Sequence, residues 1–131
     1  MEKAVVLFVD DEEDFRFISI RQIKRILKDL EFEFFEATDG EDALALLEGG
    51  LKPSLIIVDY AMPRLNGMEL LRRIDRDHQD LYHIPRIMLS GYQSEEIIGE
   101  AQKLRYVFFE KTIDNKIFFQ QICNYILTRL A

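Results

Sequence analysis

The stretch Leu55-Ile56-Ile57-Val58-Asp59 constrains this chain more than any other. Four apolar, mostly β-branched residues in a row read as a strand buried on both faces. The run ends on a carboxylate. Pro63 and then Asn66-Gly67 turn the backbone directly afterwards. A charged group at the end of a buried strand is costly unless something uses it. Asp59 therefore calls for a partner or a chemical role.

The rest of the chain repeats the pattern. Ala4 to Val9 is a continuous apolar run, predicted as a first buried strand, and it ends in Asp10-Asp11. From Glu12 to about Leu30, Ile23, Ile26, Leu27 and Leu30 recur at helical spacing between Arg21, Lys24, Arg25 and Lys28. Phe32 to Ala37 is a shorter, more polar strand, expected near an edge. Thr38 or Asp39 caps a second helix whose core face is Ala43, Leu46 and Leu47. Gly49-Gly50 ends that helix and Pro53 blocks its resumption. The third strand spans Ser54 to Asp59. A third helix follows from Gly67 to about Arg76, with Met68, Leu71 and Ile74 inward. Asp75 to Tyr82 reads as a polar stretch, and His78 and His83 as surface residues without a metal role. Pro85 to Leu89 is a fourth strand ending at Ser90-Gly91. Ser94 to about Leu104 is a weakly amphipathic helix carrying Ile97, Ile98 and Ala101. Tyr106 to Phe109 is a fifth strand reaching Glu110-Lys111, and Asp114 caps a last helix to about Leu130.

Strands alternating with helices imply a parallel sheet covered on both faces. Ligands of such sheets bind beyond the carboxyl ends of the strands, where strand order reverses. The polar residues at those ends are Asp10 and Asp11, Asp59, Ser90 and Lys111. Converging carboxylates repel, and a hard divalent cation such as Mg²⁺ removes the conflict. A lysine and a hydroxyl opposite them suit an anion carried by the metal. Phosphoryl transfer needs little more than such positioning, and a carboxylate can be its nucleophile. Asp59, on the central strand, is the candidate.

Composition narrows the choice. The 131 residues suffice for one domain, burying roughly 65–70% of the unfolded surface. A net charge of −7 argues against nonspecific nucleic-acid or anionic-membrane binding. No apolar run approaches the roughly 18 residues of a membrane span, and no signal-peptide pattern opens the chain. Lone Cys123 suits a reducing cytoplasm and an apolar helix face.

Asp10-Asp11, Asp59-Tyr60-Ala61-Met62-Pro63-Arg64-Leu65-Asn66-Gly67, Ser90-Gly91 and Lys111 together resemble the receiver domain of two-component response regulators, the CheY-like superfamily. The resemblance covers essentially the whole chain. It implies a flavodoxin-like, doubly wound, five-stranded parallel sheet of order 2-1-3-4-5 with five helices. It also implies a single receiver domain over residues 1–131, with no output domain. Asp59 would accept a phosphoryl group from a histidine kinase or phosphotransfer protein. Asp11, Asp59 and the Ala61 carbonyl would bind Mg²⁺, with Asp10 acting through water. Ser90 and Lys111 would hold phosphoryl oxygens, and Phe108 would be the switch aromatic. Self-phosphorylation and slow autodephosphorylation would make it a signalling switch rather than a turnover enzyme. A downstream protein would read the face of helix four, strand five and helix five.

The chain departs from the family at three places. Thr112 stands where proline usually follows the lysine. Phe108 replaces the commoner tyrosine. Lys103-Leu104-Arg105 stands where a Gly-Ala pair normally precedes the fifth strand. Ala61, two residues after Asp59, cannot position a water by hydrogen bonding, so slow loss of phosphate is expected.

Each residue also has a plainer reading. Asp10 and Asp11 suit a helix start, Asp59 and Ser90 suit turns, and Lys111 beside Glu110 suits a surface ion pair. Glu12 to Asp14 reads as a solvated acidic start. A metal-dependent phosphohydrolase would need a second acid at Ala61. A receiver-like binding module that is never phosphorylated is the remaining alternative. On the last helix, Phe119, Ile122, Cys123, Ile126 and Leu130 form a core face. Ile117, Phe118, Tyr125 and Leu127 are left over, as a wide buried stripe or as a patch for homodimerisation or partner docking.

Overall fold

The computed structural model describes residues 3–91, 95–103, 106–111 and 116–130. β1 (Ala4–Val9), β2 (Phe32–Ala37), β3 (Leu55–Asp59), β4 (Arg86–Ser90) and β5 (Val107–Glu110) form one sheet of order β2-β1-β3-β4-β5. Every neighbouring pair is parallel. The helices are α1 (Glu13–Ile26), α2 (Gly40–Glu48), α3 (Gly67–Asp77), α4 (Glu95–Lys103) and α5 (Lys116–Leu130). The doubly wound order expected from the sequence is the one observed.

Side chains alternate across the strands, so the sheet builds two cores. Leu7, Val9, Ile56, Val58 and Met88 pack with Ala43 and Leu47 of α2 and with Met68, Leu71 and Ile74 of α3. Val6, Phe8, Leu55, Ile57, Ile87 and Leu89 face the other way. They pack with Phe15 and Ile23 of α1 and with Phe119, Ile122, Cys123 and Ile126 of α5. β3 and β4 are buried at every residue, whereas β2 and β5 are half-exposed edges. Among the described residues, no helix is long and apolar enough to cross a membrane.

Register aligns the strand ends. Val9 pairs with Ala37 on one side and Val58 on the other. Asp59 pairs with Leu89, and Ser90 with Glu110. The β1 and β3 exits flank the point where strand order reverses, which opens a crevice there. Asp39 caps α2 by accepting from the Asp42 N–H at 2.8 Å. Asn66 and Glu69 form a reciprocal capping box at the start of α3.

Some sequence expectations shift. α1 stops at Ile26 rather than near Leu30. Leu27 leaves helical geometry, and residues 27–30 turn the chain so that Glu31 can accept from the Ala4 N–H beside β2. Leu27 is still buried. The polar stretch from Asp75 is not simply solvated. Asp75 lies in α3, and a short 3₁₀ turn at Gln79–Leu81 buries Leu81. His78 is half-buried, while His83 is exposed. On α5, Phe118 belongs to the core, 6.2 Å from the Phe15 ring centroid. Tyr125 is half-buried, which leaves Ile117 and Leu127 exposed. They lie ten residues apart, about 15 Å along the helix. Asp114, Leu104 and Arg105 lie outside the described residues, as do the side chains of Ile97 and Ala101.

Two glycines make opposite demands. A Cβ at Gly67 would fall 2.5 Å from the Asp59 carbonyl oxygen, a backbone atom that cannot yield. A Cβ at Gly99, inside α4, would meet nothing within 4 Å. Gly67→Ala should therefore cost about 2 kcal/mol, and Gly99→Ala should add about 0.5–1 kcal/mol. Urea midpoints of the two variants check both signs.

Candidate functional site

Residues from three distant stretches of sequence meet at the β1–β3 crevice. Asp10, directly after β1, is completely buried. Its N–H donates to the Ala37 carbonyl at 3.0 Å, and its Oδ1 accepts from the Glu12 N–H at 2.8 Å. Arg16 of α1, itself buried, donates through Nη1 to the Asp10 carbonyl and through Nε to Glu36 at 3.0 Å. Asp59 is 3% exposed at the end of β3, and the Ala61 N–H bonds to its carboxylate. Gly67 packs against the Asp59 backbone and donates to the Tyr60 carbonyl at 2.9 Å, which holds the exit of β3 in place.

Lys111 joins these groups. Its main-chain N–H donates to the Ser90 carbonyl at 2.8 Å, tying the exit of β5 to the end of β4. Its side chain turns inward. Nζ lies 3.0 Å from Asp10 Oδ2 and 3.6 Å from Asp59 Oδ2, and it also pairs with Glu12. The ammonium sits 4.4 Å above the Phe15 ring centroid, a cation–π contact. Lys111 is thus no surface partner of Glu110.

Asp10, Asp11, Glu12 and Asp59 each offer a carboxylate oxygen, and these oxygens lie within 4.8 Å of one another. One ammonium cannot neutralise four carboxylates. Burial pushes the Asp59 carboxyl up to about 7; the charges of Asp10 and Asp11 add to the rise, while Lys111 and the Ala61 N–H oppose it. Burial likewise raises Asp10 against the pull of the Glu12 N–H and Lys111. Burial would lower the Lys111 ammonium, but Glu12 and Asp10 outweigh it and leave it raised. Asp10 Oδ2 is buried, with the Lys111 ammonium 3.0 Å away. A clustered, all-oxygen donor set whose charge one ammonium only partly offsets fits a hard divalent cation.

The expected residues distribute as follows. Asp10, Asp11, Asp59 and Lys111 come together. Ala61 is adjacent, with its side chain exposed. Ser90 is buried at the end of β4. Phe108, in register with Met88 on β5, is half-buried against the core beneath α2 and α3. Thr112 lies outside the described residues. Glu12 is exposed, as expected of a solvated acidic start, but its carboxylate also belongs to the cluster and pairs with Lys111. Arg16 went unread, although a cation on the buried stripe of Phe15, Ser19 and Ile23 is a visible signal.

A doubly wound sheet with an acidic crevice and an inward lysine at its carboxyl edge defines a class of α/β protein that binds its ligands at that edge. Comparison with known proteins makes the class specific. Residues 6–122 match the response regulator receiver domain, and the chain belongs to that family. It is 36% identical over 97 residues to the chemotaxis protein CheY-3 of Vibrio cholerae serotype O1, covering 73% of this chain and 70% of that protein. It superposes on the phosphorylated cyanobacterial phytochrome response regulator RcpA with a TM-score of 0.85 at 22% identity, covering 99% and 96% of the two chains. The Mn(2+)-bound form of response regulator Rcp1 aligns with a TM-score of 0.75 at 25% identity, covering 94% and 91%.

The raised Asp59 carboxyl has a measurable consequence. Without divalent cation, the stability linked to its high folded value is fully present below about pH 4 and is lost as pH rises through about 7. Asp59→Asn removes that loss. The variant should match the natural protein near pH 4 and exceed it by about 2–4 kcal/mol at pH 8 in a chelator. Urea unfolding of both proteins across this range checks the sign.

Proposed function

We propose that this chain is a phosphorylation-controlled signalling switch acting in the cytoplasm. In this reading Asp59 receives a phosphoryl group from the phosphohistidine of a histidine kinase or phosphotransfer protein. The observation that carries it is the buried Asp59 carboxylate, 3.6 Å from the Lys111 ammonium and inside a carboxylate cluster suited to a cation. Membership of the receiver family supports the same assignment.

The chemistry balances simply. An Asp59 oxygen attacks phosphorus, forming an O–P bond as the P–N bond to the donor imidazole breaks. The imidazole nitrogen keeps the electron pair and takes a proton from solvent. Asp59 must be ionised to attack. Burial works against that near neutrality, and cation binding would restore it. Mg²⁺ is the proposed ion, held by Asp11, Asp59 and the Ala61 carbonyl, with Asp10 acting through water. When bound, it supplies positive charge to phosphoryl oxygens. The response regulator Rcp1, similar in fold, has a Mn(2+)-bound form, which supports a divalent ion for this chain as well. Lys111 would exchange part of its pairing with Asp10 and Glu12 for a phosphoryl oxygen, and the Ser90 hydroxyl would donate to another.

The new dianion thus competes for one ammonium and one hydroxyl at the ends of β4 and β5. Phe108, three residues before Lys111, would turn inward as Ser90 moves. The face of α4, β5 and α5 would then change for a partner protein. Phe108 carries no hydroxyl, so its two positions would differ in packing alone.

Titration with beryllium fluoride and Mg²⁺, followed by amide NMR, tests the assignment. Shifts around residues 59, 90 and 108–111 should saturate in the natural protein and vanish in Asp59→Ala. The same shifts in both proteins would leave a binding module that does not use Asp59. Ala61 offers no group to orient an attacking water, so the isolated phosphorylated protein should lose phosphate slowly. A half-life of seconds would overturn that expectation.

A further inference from the structure

A second site lies at the opposite end of β4. Arg86, its first residue, stands four residues from Ser90, about 13 Å along the strand. A cavity of about 420 Å³ opens there between the turn after α3, the start of β5 and the last turns of α5. Its lining includes Asp75, His83, Arg86, Tyr106, Tyr125 and Arg129. The volume falls within the usual range of small-molecule pockets. None of these residues belongs to the phosphoryl site.

The lining is organised by charge. Arg86 is 5% exposed and forms an ion pair with Asp75. Its Nη2 donates to the Leu81 carbonyl at 2.9 Å. The Tyr106 hydroxyl donates to Asp75 Oδ2 at 2.8 Å. Asp75 and Arg86 therefore cancel. The Arg86 Nε–H is buried and has no acceptor among the described residues. Arg129 is exposed and stacks over the Tyr125 ring, 5.2 Å from its centroid, where it also interacts with the Tyr125 hydroxyl; among the described residues it forms no ion pair. Among the described residues the Arg129 charge thus has no acidic partner, in a chain of net charge −7.

The cavity is also ringed by flat groups. Tyr125 presents a face already stacked by a guanidinium, and Tyr106 supports Arg86, 5.6 Å above its own ring centroid. Exposed Tyr82 meets the His83 ring edge-on at the mouth, with centroids 5.5 Å apart. Rings accept a flat apolar body. A planar guanidinium fork matches a carboxylate in two parallel hydrogen bonds. One guanidinium charge suits a monoanion better than a phosphate dianion.

We propose that this cavity binds a small planar carboxylate, with Arg129 pairing with the carboxylate and Tyr125 and His83 flanking the ring. An acidic peptide would need an extended track of basic residues, and beyond the Asp75-paired Arg86 the lining supplies one guanidinium.

Amide NMR titration of the full chain with benzoate, acetate and inorganic phosphate tests the site. Benzoate should give saturable millimolar shifts confined to residues around 82–86, 106 and 125–129. Acetate and phosphate should bind at least about fivefold more weakly. Arg129→Gln should weaken benzoate about tenfold, and Arg129→Lys, which keeps the charge but loses the fork, should weaken it nearly as much. The benzoate affinity of Asp59→Asn should equal that of the natural protein, so the result stands apart from the phosphorylation reading. Non-saturating shifts, phosphate or a glutamate-rich peptide binding as tightly as benzoate, or an unaffected Arg129→Gln would each overturn the proposal.

Discussion

Lys111 is shared by three carboxylates, two of them nearly sealed from water, and the rest of the site depends on that arrangement. A buried carboxylate without compensation is expensive enough that it protonates or the structure rearranges. Here the compensation comes from a residue 101 positions away from Asp10. Only the strand order makes this meeting available. β1 and β3 lie side by side, so Asp10 and Asp59 leave the sheet together, and the Ser90–Lys111 main-chain bond brings the β5 exit back over them. The compensation is incomplete, as the raised Asp59 carboxyl records, and this shortfall is what a cation would fill.

The backbone around the carboxylates is held from both sides. Arg16 grips the Asp10 carbonyl from α1, and Gly67 presses on the Asp59 carbonyl from the start of α3. Each anchor is a contact that a neighbouring residue type could not reproduce. A changed charge at Asp59 therefore finds a stiff frame. In the proposed switch, the parts that would move are the Lys111 ammonium and the half-buried Phe108 ring. That division between rigid chemistry and movable readout suits a two-state switch.

β4 links two sites of opposite character. Its carboxyl end borders an acidic cluster suited to a cation, and its amino end carries a buried arginine beside a cavity that Arg129 also lines. Tyr106 and Phe108, two residues apart at the start of and within β5, pack into the same core. The Asp75–Arg86–Tyr106 network thus anchors the end of β5 opposite Lys111.

The sequence by itself determined the alternation of strands and helices, because fully buried strands leave unbroken apolar runs at 4–9, 55–58 and 87–89. It also determined which polar residues stand at strand ends, and with them Asp10, Asp11, Asp59, Ser90 and Lys111. Three kinds of feature were decided only by tertiary structure. Glu12 reads locally as a solvated acid, and its pairing with Lys111 needs the sheet closed. Asp75, Arg86 and Tyr106 read as scattered polar residues until α3, β4 and β5 pack and take them out of water. The end of α1 and the burial of Phe118 follow from where the chain must turn to meet β2 and from how α5 lies against Phe15. Local pattern reports which residues avoid water. The partner a charge finds inside depends on contacts across the fold, which no window of sequence contains.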